Sequence, residues 1–110
     1  MTRKENILEI LSKAETPLST NQIVNIIYED YHFIVDNKIK QYKEKNVLKT
    51  EKEIRQQIYA ETSSIIFLNL KNEVVTKKIN KRNHHILKNK TNIEFGYTPE
   101  KVIKPPLYKS

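Results

Sequence analysis

The 110-residue sequence has no cysteine, one glycine, two aspartates and three histidines, and each shortage removes a class of chemistry. Without cysteine there is no disulfide framework, no thiolate-ligated zinc and no thiol nucleophile, and a reducing compartment is permitted. The single glycine, Gly96, excludes a glycine-rich phosphate loop and a nucleophile elbow. Asp30 and Asp36 are too few for a magnesium-dependent nuclease cluster. His84 and His85 are adjacent, and neighbours on a strand point to opposite faces, so they do not share one metal. His32 is too distant in sequence to be assigned as a third ligand. No apolar run approaches the length of a membrane span, and the N-terminus alternates charged and apolar residues, unlike a signal peptide. We therefore expect no enzyme, no cofactor, no metal and no membrane partner, while a non-catalytic domain of a nuclease stays open.

What is present is charge. Apolar residues make up 37% and the formal net charge is +7, which suits one small helix-rich domain rather than a disordered chain. Residues 1–30 carry three basic and five acidic groups, residues 31–72 eight and five, and residues 73–110 nine and three. Basic character thus accumulates toward the C-terminus, the footprint expected of a phosphate-contacting surface. An A+T-rich coding composition also yields many lysines; their place along the chain is what points to a partner. Lysine outnumbers arginine 17 to 3, and its point charge favours phosphate contact over bidentate base reading.

Three capping boxes, Thr2 with Glu5, Ser19 with Gln22 and Thr50 with Glu53, mark helix starts. The first helix is expected over residues 3–14, ended by Glu15-Thr16-Pro17. Leu18 forms a very short strand or an apolar plug, and the second helix runs from Ser19 to about Tyr31. Val35, Ile39 and Tyr42 predict an amphipathic helix at about 36–46.

The chain is organised around residues 50–90, which open with the helix expected at about 50–70. Ile54, Ile58, Ile65 and Leu68 define an inward stripe, which leaves Lys52, Arg55, Gln56, Tyr59 and Ser63 outward, with Thr62 at the margin. Those side chains suit bases and phosphates. Glu61 falls on the inward stripe, where a carboxylate needs a partner or an edge position. Ile66, Phe67 and Leu70 fall outward and form a candidate interface for a protein partner or a second copy. A rival reading ends the helix near Ser63 and Ser64 and pairs residues 65–70 as a strand with residues 73–79, across a turn at Lys71 and Asn72.

Either way a basic hairpin follows: residues 73–79 extended, 80–83 a turn, 84–88 a second strand. Lys77, Lys78, Lys81, Arg82 and His84 crowd its tip and flanks, able to clamp a sugar-phosphate backbone or to protect a sheet edge. We divide the chain into a domain at 1–92 and a C-terminal arm or linker at 93–110, which holds Gly96, Pro99, Pro105 and Pro106.

The stretch LKNEVVTKKINKRNHHILK resembles the end of a recognition helix and the wing strands of bacterial winged-helix regulators. NILEILSKAETPLSTNQIVNIIYED is similar to HARE-type helix-turn-helix domains. The resemblance covers about residues 3–90 through patterning rather than an invariant motif. Two departures stand out: the wing lacks its usual glycine, and residues 32–49 are longer than the usual connection. The resemblance implies a mainly helical α+β winged helix-turn-helix fold, three or four helices plus a basic wing. It also implies double-stranded DNA binding, with the helix at about 50–70 in the major groove and the wing at about 73–90 on adjacent backbone. A transcriptional regulator or the DNA-reading domain of a larger protein, in the cytoplasm, nucleoid or nucleus, fits this. The alternative is a protein-interaction winged helix, such as a small phage or mobile-element protein acting on a host nucleic-acid machine.

Overall fold

Three of the four helices start where a hydroxyl and a carboxylate or amide reciprocally satisfy the first free backbone N–H groups. The computed structural model describes residues 2–90, so the expected arm at 93–110 lies outside the described residues. Helix α1 (Arg3–Lys13) opens with the Glu5 N–H donating to Thr2 Oγ1 at 3.1 Å and the Thr2 N–H to Glu5 Oε1 at 2.7 Å. Its last turn meets Lys90, whose Nζ donates to the carbonyls of Ser12 at 2.6 Å and Ala14 at 3.1 Å. A cation there satisfies orphan carbonyls and complements the helix dipole. Leu18 lies in the short strand β1 (Leu18–Ser19) and is also buried in the core, and the Ser19 box opens α2 (Thr20–Asp30).

Helix α3 (His32–Glu44) starts four residues before the expected position. Tyr31, at φ −126° and ψ 40°, breaks it from α2, and no side chain caps it, so no sequence signal marked the start. Packing of Ile34 and Val35 into the core holds that first turn instead. Asn46 takes a left-handed φ of 56° after the helix. The Asn46 N–H bonds Lys43 O at 3.1 Å and the Val47 N–H bonds Tyr42 O at 2.9 Å, a Schellman closure. Helix α4 (Glu51–Ser64) opens with the Thr50 and Glu53 box.

Beyond Ser64 the helix neither stops nor continues as α. Residues Ile65–Asn69 form one π turn, with the Leu70 N–H reaching Ile65 O at 3.0 Å. This overturns the rival strand at 65–70 and part of the inward stripe. The buried positions are Ile54, Ile58, Thr62, Ile66 and Leu70, one every four residues. On a pure α-helix that spacing drifts by about 40° per step. The wider π turn absorbs an extra residue and brings Ile66 and Leu70 back over the core. Ile66 and Leu70 are therefore core residues rather than a partner interface, at 1% and 0% exposure, while Leu68 is 69% exposed and Phe67 44%. Thr62, expected at the outward margin, is fully buried.

Strands β2 (Val74–Ile79) and β3 (Arg82–Leu87) form a hairpin in register from Val74 opposite Leu87 to Ile79 opposite Arg82. The turn is two residues, Asn80 at φ 52° and Lys81 at φ 69°, not the four expected, so Arg82 and Asn83 belong to the strand. Positive φ at both central positions is the hairpin turn that matches strand twist, here made without glycine. Strand β1 joins the free edge of β3, giving the order β1-β3-β2, all antiparallel. Four helices with this small sheet make an α+β, winged-helix-like layout. The core is aliphatic and dominated by isoleucine, with Tyr31 at its edge.

Glu61 answers its own puzzle. It accepts from Arg3 Nη1 at 3.0 Å, Lys38 Nζ at 2.7 Å and Gln57 Nε2 at 2.9 Å. Burial pushes its carboxyl up, but the hydrogen bonds from Gln57, Lys38 and Arg3 outweigh that and hold it below the ordinary value. The carboxylate thereby links α1, α3 and α4.

Candidate nucleic-acid interface

The α4 stripe of Lys52, Arg55, Tyr59, Ser63 and Phe67 recurs at three and four residues, so it keeps one face as far as the π turn. Tyr59, Ser63 and Phe67 open into a cleft of about 300 Å³. Its other walls are Ser19, Thr20 and Asn21 at the start of α2, and Lys81, Arg82 and Asn83 from the wing. Four of the expected residues, Tyr59, Ser63, Lys81 and Arg82, thus converge from two elements onto one concavity.

Lys52 and Arg55 line a second cleft of about 500 Å³, shared with Tyr28, His32, Val35, Ile39, Glu51 and Ile54. Arg55 lines only the second cleft but is bonded to Asn21, which lines the first. Its Nη2 donates to Asn21 Oδ1 at 3.1 Å and to Asn25 Oδ1, and the guanidinium lies 5.2 Å from the centroid of the Tyr28 ring. Arg55 is therefore drawn against α2 rather than projecting freely. Asn21, Asn25 and Tyr28 belong to this surface, and sequence reasoning missed them. Their only signal was an exposed asparagine pair four residues apart, on a helix read for its apolar face alone.

The wing divides the remaining residues. Lys77 pairs with His84 and Lys78 with Asn83, and cross-strand partners share a face. Lys78 therefore shares a face with Asn83, and Lys77 and His84 share the opposite one; of the expected residues, Lys77, Lys78 and His84 do not line the cleft. His84 Nδ1 is turned to the Arg82 carbonyl at 2.9 Å. Gln56 is exposed on α4 and lines neither cleft.

His85 was passed over except as the neighbour of His84. It is fully buried, with Nε2 2.8 Å from Thr20 Oγ1 and Nδ1 2.8 Å from Thr76 Oγ1. Phe67 meets its ring edge-on at 5.8 Å between centroids. Burial, and secondarily the charge of His84, pushes its pKa down to about 4, so the ring is neutral near pH 7. It ties β3 to the first residue of α2 and to β2, which fixes the wing against the helices that wall the cleft. Alternation along the strand places this ring opposite His84, as the adjacent-histidine argument requires.

No helix among the described residues is long and apolar enough to cross a membrane. Comparison of the chain with protein-family models, with curated proteins and with solved structures finds no match in any of the three.

Proposed function

We propose that this chain binds double-stranded DNA, with α4 lying along the major groove and the β2-β3 wing against the neighbouring backbone. The observation that carries this is the convergence of Tyr59 and Ser63, the α2 start, and Lys81 and Arg82 on one cleft. Hydroxyls, backbone N–H groups at a helix start and cations are the donors that position a duplex by its phosphates. Lysine supplies most of the charge, so affinity comes mainly from phosphates and sequence preference is modest. Arg55, held by two asparagines and a tyrosine, presents a restrained guanidinium beside the groove floor. Such a protein acts as a regulator or as the DNA-reading part of a larger assembly, in the cytoplasm, nucleoid or nucleus.

The protein-interaction reading loses ground because Ile66 and Leu70 are core residues, which leaves Phe67 and Leu68 as the exposed apolar pair there. Fluorescent duplex titrated at about 50 and about 200 mM salt separates the two, since a binder of several phosphates loses orders of magnitude in affinity over that range. Steep loss is expected. Absence of binding at the lower salt would overturn the DNA reading and turn attention to a protein partner at Phe67 and Leu68.

A further inference from the structure

We infer that the connector between α3 and α4 is a second DNA-contacting flank, gripping duplex backbone at the opposite end of α4 from the wing; this rests on the DNA-binding reading above. Residues 38–52 carry six lysines against two glutamates. Lys43, Lys45 and Lys49 are exposed, and the ion pairs among the described residues engage Arg3, His32 and Lys38 rather than these three.

A solvated charge run has no reason to be rigid, but this one is held at both ends. The Schellman closure at Asn46 pins Lys45, and the Thr50 capping box pins the start of α4. Lys49 lies over the Tyr42 ring at 5.6 Å from its centroid, within cation–π range. Only Leu48 and Lys49 separate Val47, which closes the Schellman turn, from that N-cap. Ordering charges in advance lowers the entropic cost of engaging a ligand.

At the crest sits Leu48, 98% exposed. A bare leucine between lysines suits a groove wall, where apolar side chains pack or wedge while flanking cations hold phosphates. Of the neighbouring acids, Glu44 and Glu51 are exposed beside the lysines, while Glu53 is turned back onto the Thr50 N–H at 2.9 Å.

The spacing also fits. Ser63, in the last turn of α4, lines the cleft that holds Lys81 and Arg82, while the connector feeds the first turn. At about 1.5 Å per residue the two basic groups lie about 20 Å apart along α4. That is about six base-pair steps of duplex.

The test uses the full 110-residue chain, with Lys43→Ala, Lys45→Ala and Lys49→Ala combined. The dependence of log affinity on log salt is expected to become shallower by about 2 to 3, one phosphate contributing about 0.9. Hydroxyl-radical protection should vanish at one flank of the footprint and persist at the wing side. Leu48→Ser should weaken binding several-fold with the salt slope kept. The corresponding triple Lys→Arg variant should keep both slope and protection, which guards against a folding artefact. A wild type that binds, alongside a folded alanine variant with unchanged slope and both protections, overturns the second flank and leaves the wing-and-helix reading standing. A wild type with no salt-dependent binding overturns both.

Discussion

His85 shows how one side chain sets a pH window. In the unfolded chain its imidazole takes a proton at about pH 6.5, and in the fold only near pH 4. Between those values the unfolded state holds more protons, so stability rises with pH across the window and is lost as pH falls through it. Urea unfolding followed from pH 7 to pH 4.5 should show that fall, and His85→Gln should flatten it. A slope identical in both would mean that the ring is not buried between Thr20 and Thr76. Lys81 poses a different trade. Its positive φ costs roughly 1 kcal/mol in any residue with a Cβ. Lys81→Gly is accordingly expected to gain about that much stability, while the salt slope of duplex binding falls by about 1. Thermal melts and titrations of the same variant separate the two effects.

At the scale of elements, the register of α4 is the feature most open to test. Ile66→Ala should cost about 2–5 kcal/mol, as truncation in a packed core does, whereas Leu68→Ala should change stability by no more than about 0.5 kcal/mol. Denaturant midpoints would reverse that order if the α-helix ran on without its π turn. Helix starts were legible because Thr2, Ser19 and Thr50 each announce themselves with an acid or amide three residues on. The start of α3 was not, since Tyr31 caps nothing and the turn is held by tertiary packing. Nor was the π turn. Residues 65–70 are apolar at five of six positions, so periodicity had only Asn69 with which to choose a face. The same ambiguity placed Ile66 and Leu70 on a surface they do not reach. In the site, Tyr59, Ser63, Lys81 and Arg82 were legible as types on an outward face or at a tip. Asn21, Asn25 and Tyr28 were not, because what qualifies them is contact with Arg55 across two helices.

For the whole molecule, the parts that would meet DNA come from distant stretches of chain. The β2-β3 hairpin is local, closed by a two-residue turn, and α4 is capped within itself. The join between wing and helices is not local: Thr20 and His85 are 65 residues apart in sequence, and β1 reaches β3 across a similar span. Contacts of such separation form late, because loop-closure entropy opposes them until the rest is in place. The cleft walled by Ser19, Thr20, Arg82 and Asn83 is then among the last features the chain assembles, and it exists only in the complete fold. A duplex held there binds the native state alone, so saturating DNA at about 100 times its Kd should add about 2.7 kcal/mol to global stability. A melt unmoved by bound duplex would mean that the contacts lie on a part that survives unfolding of the rest. On the DNA-binding reading, the wing side of the contact surface is therefore complete only when the fold itself is complete.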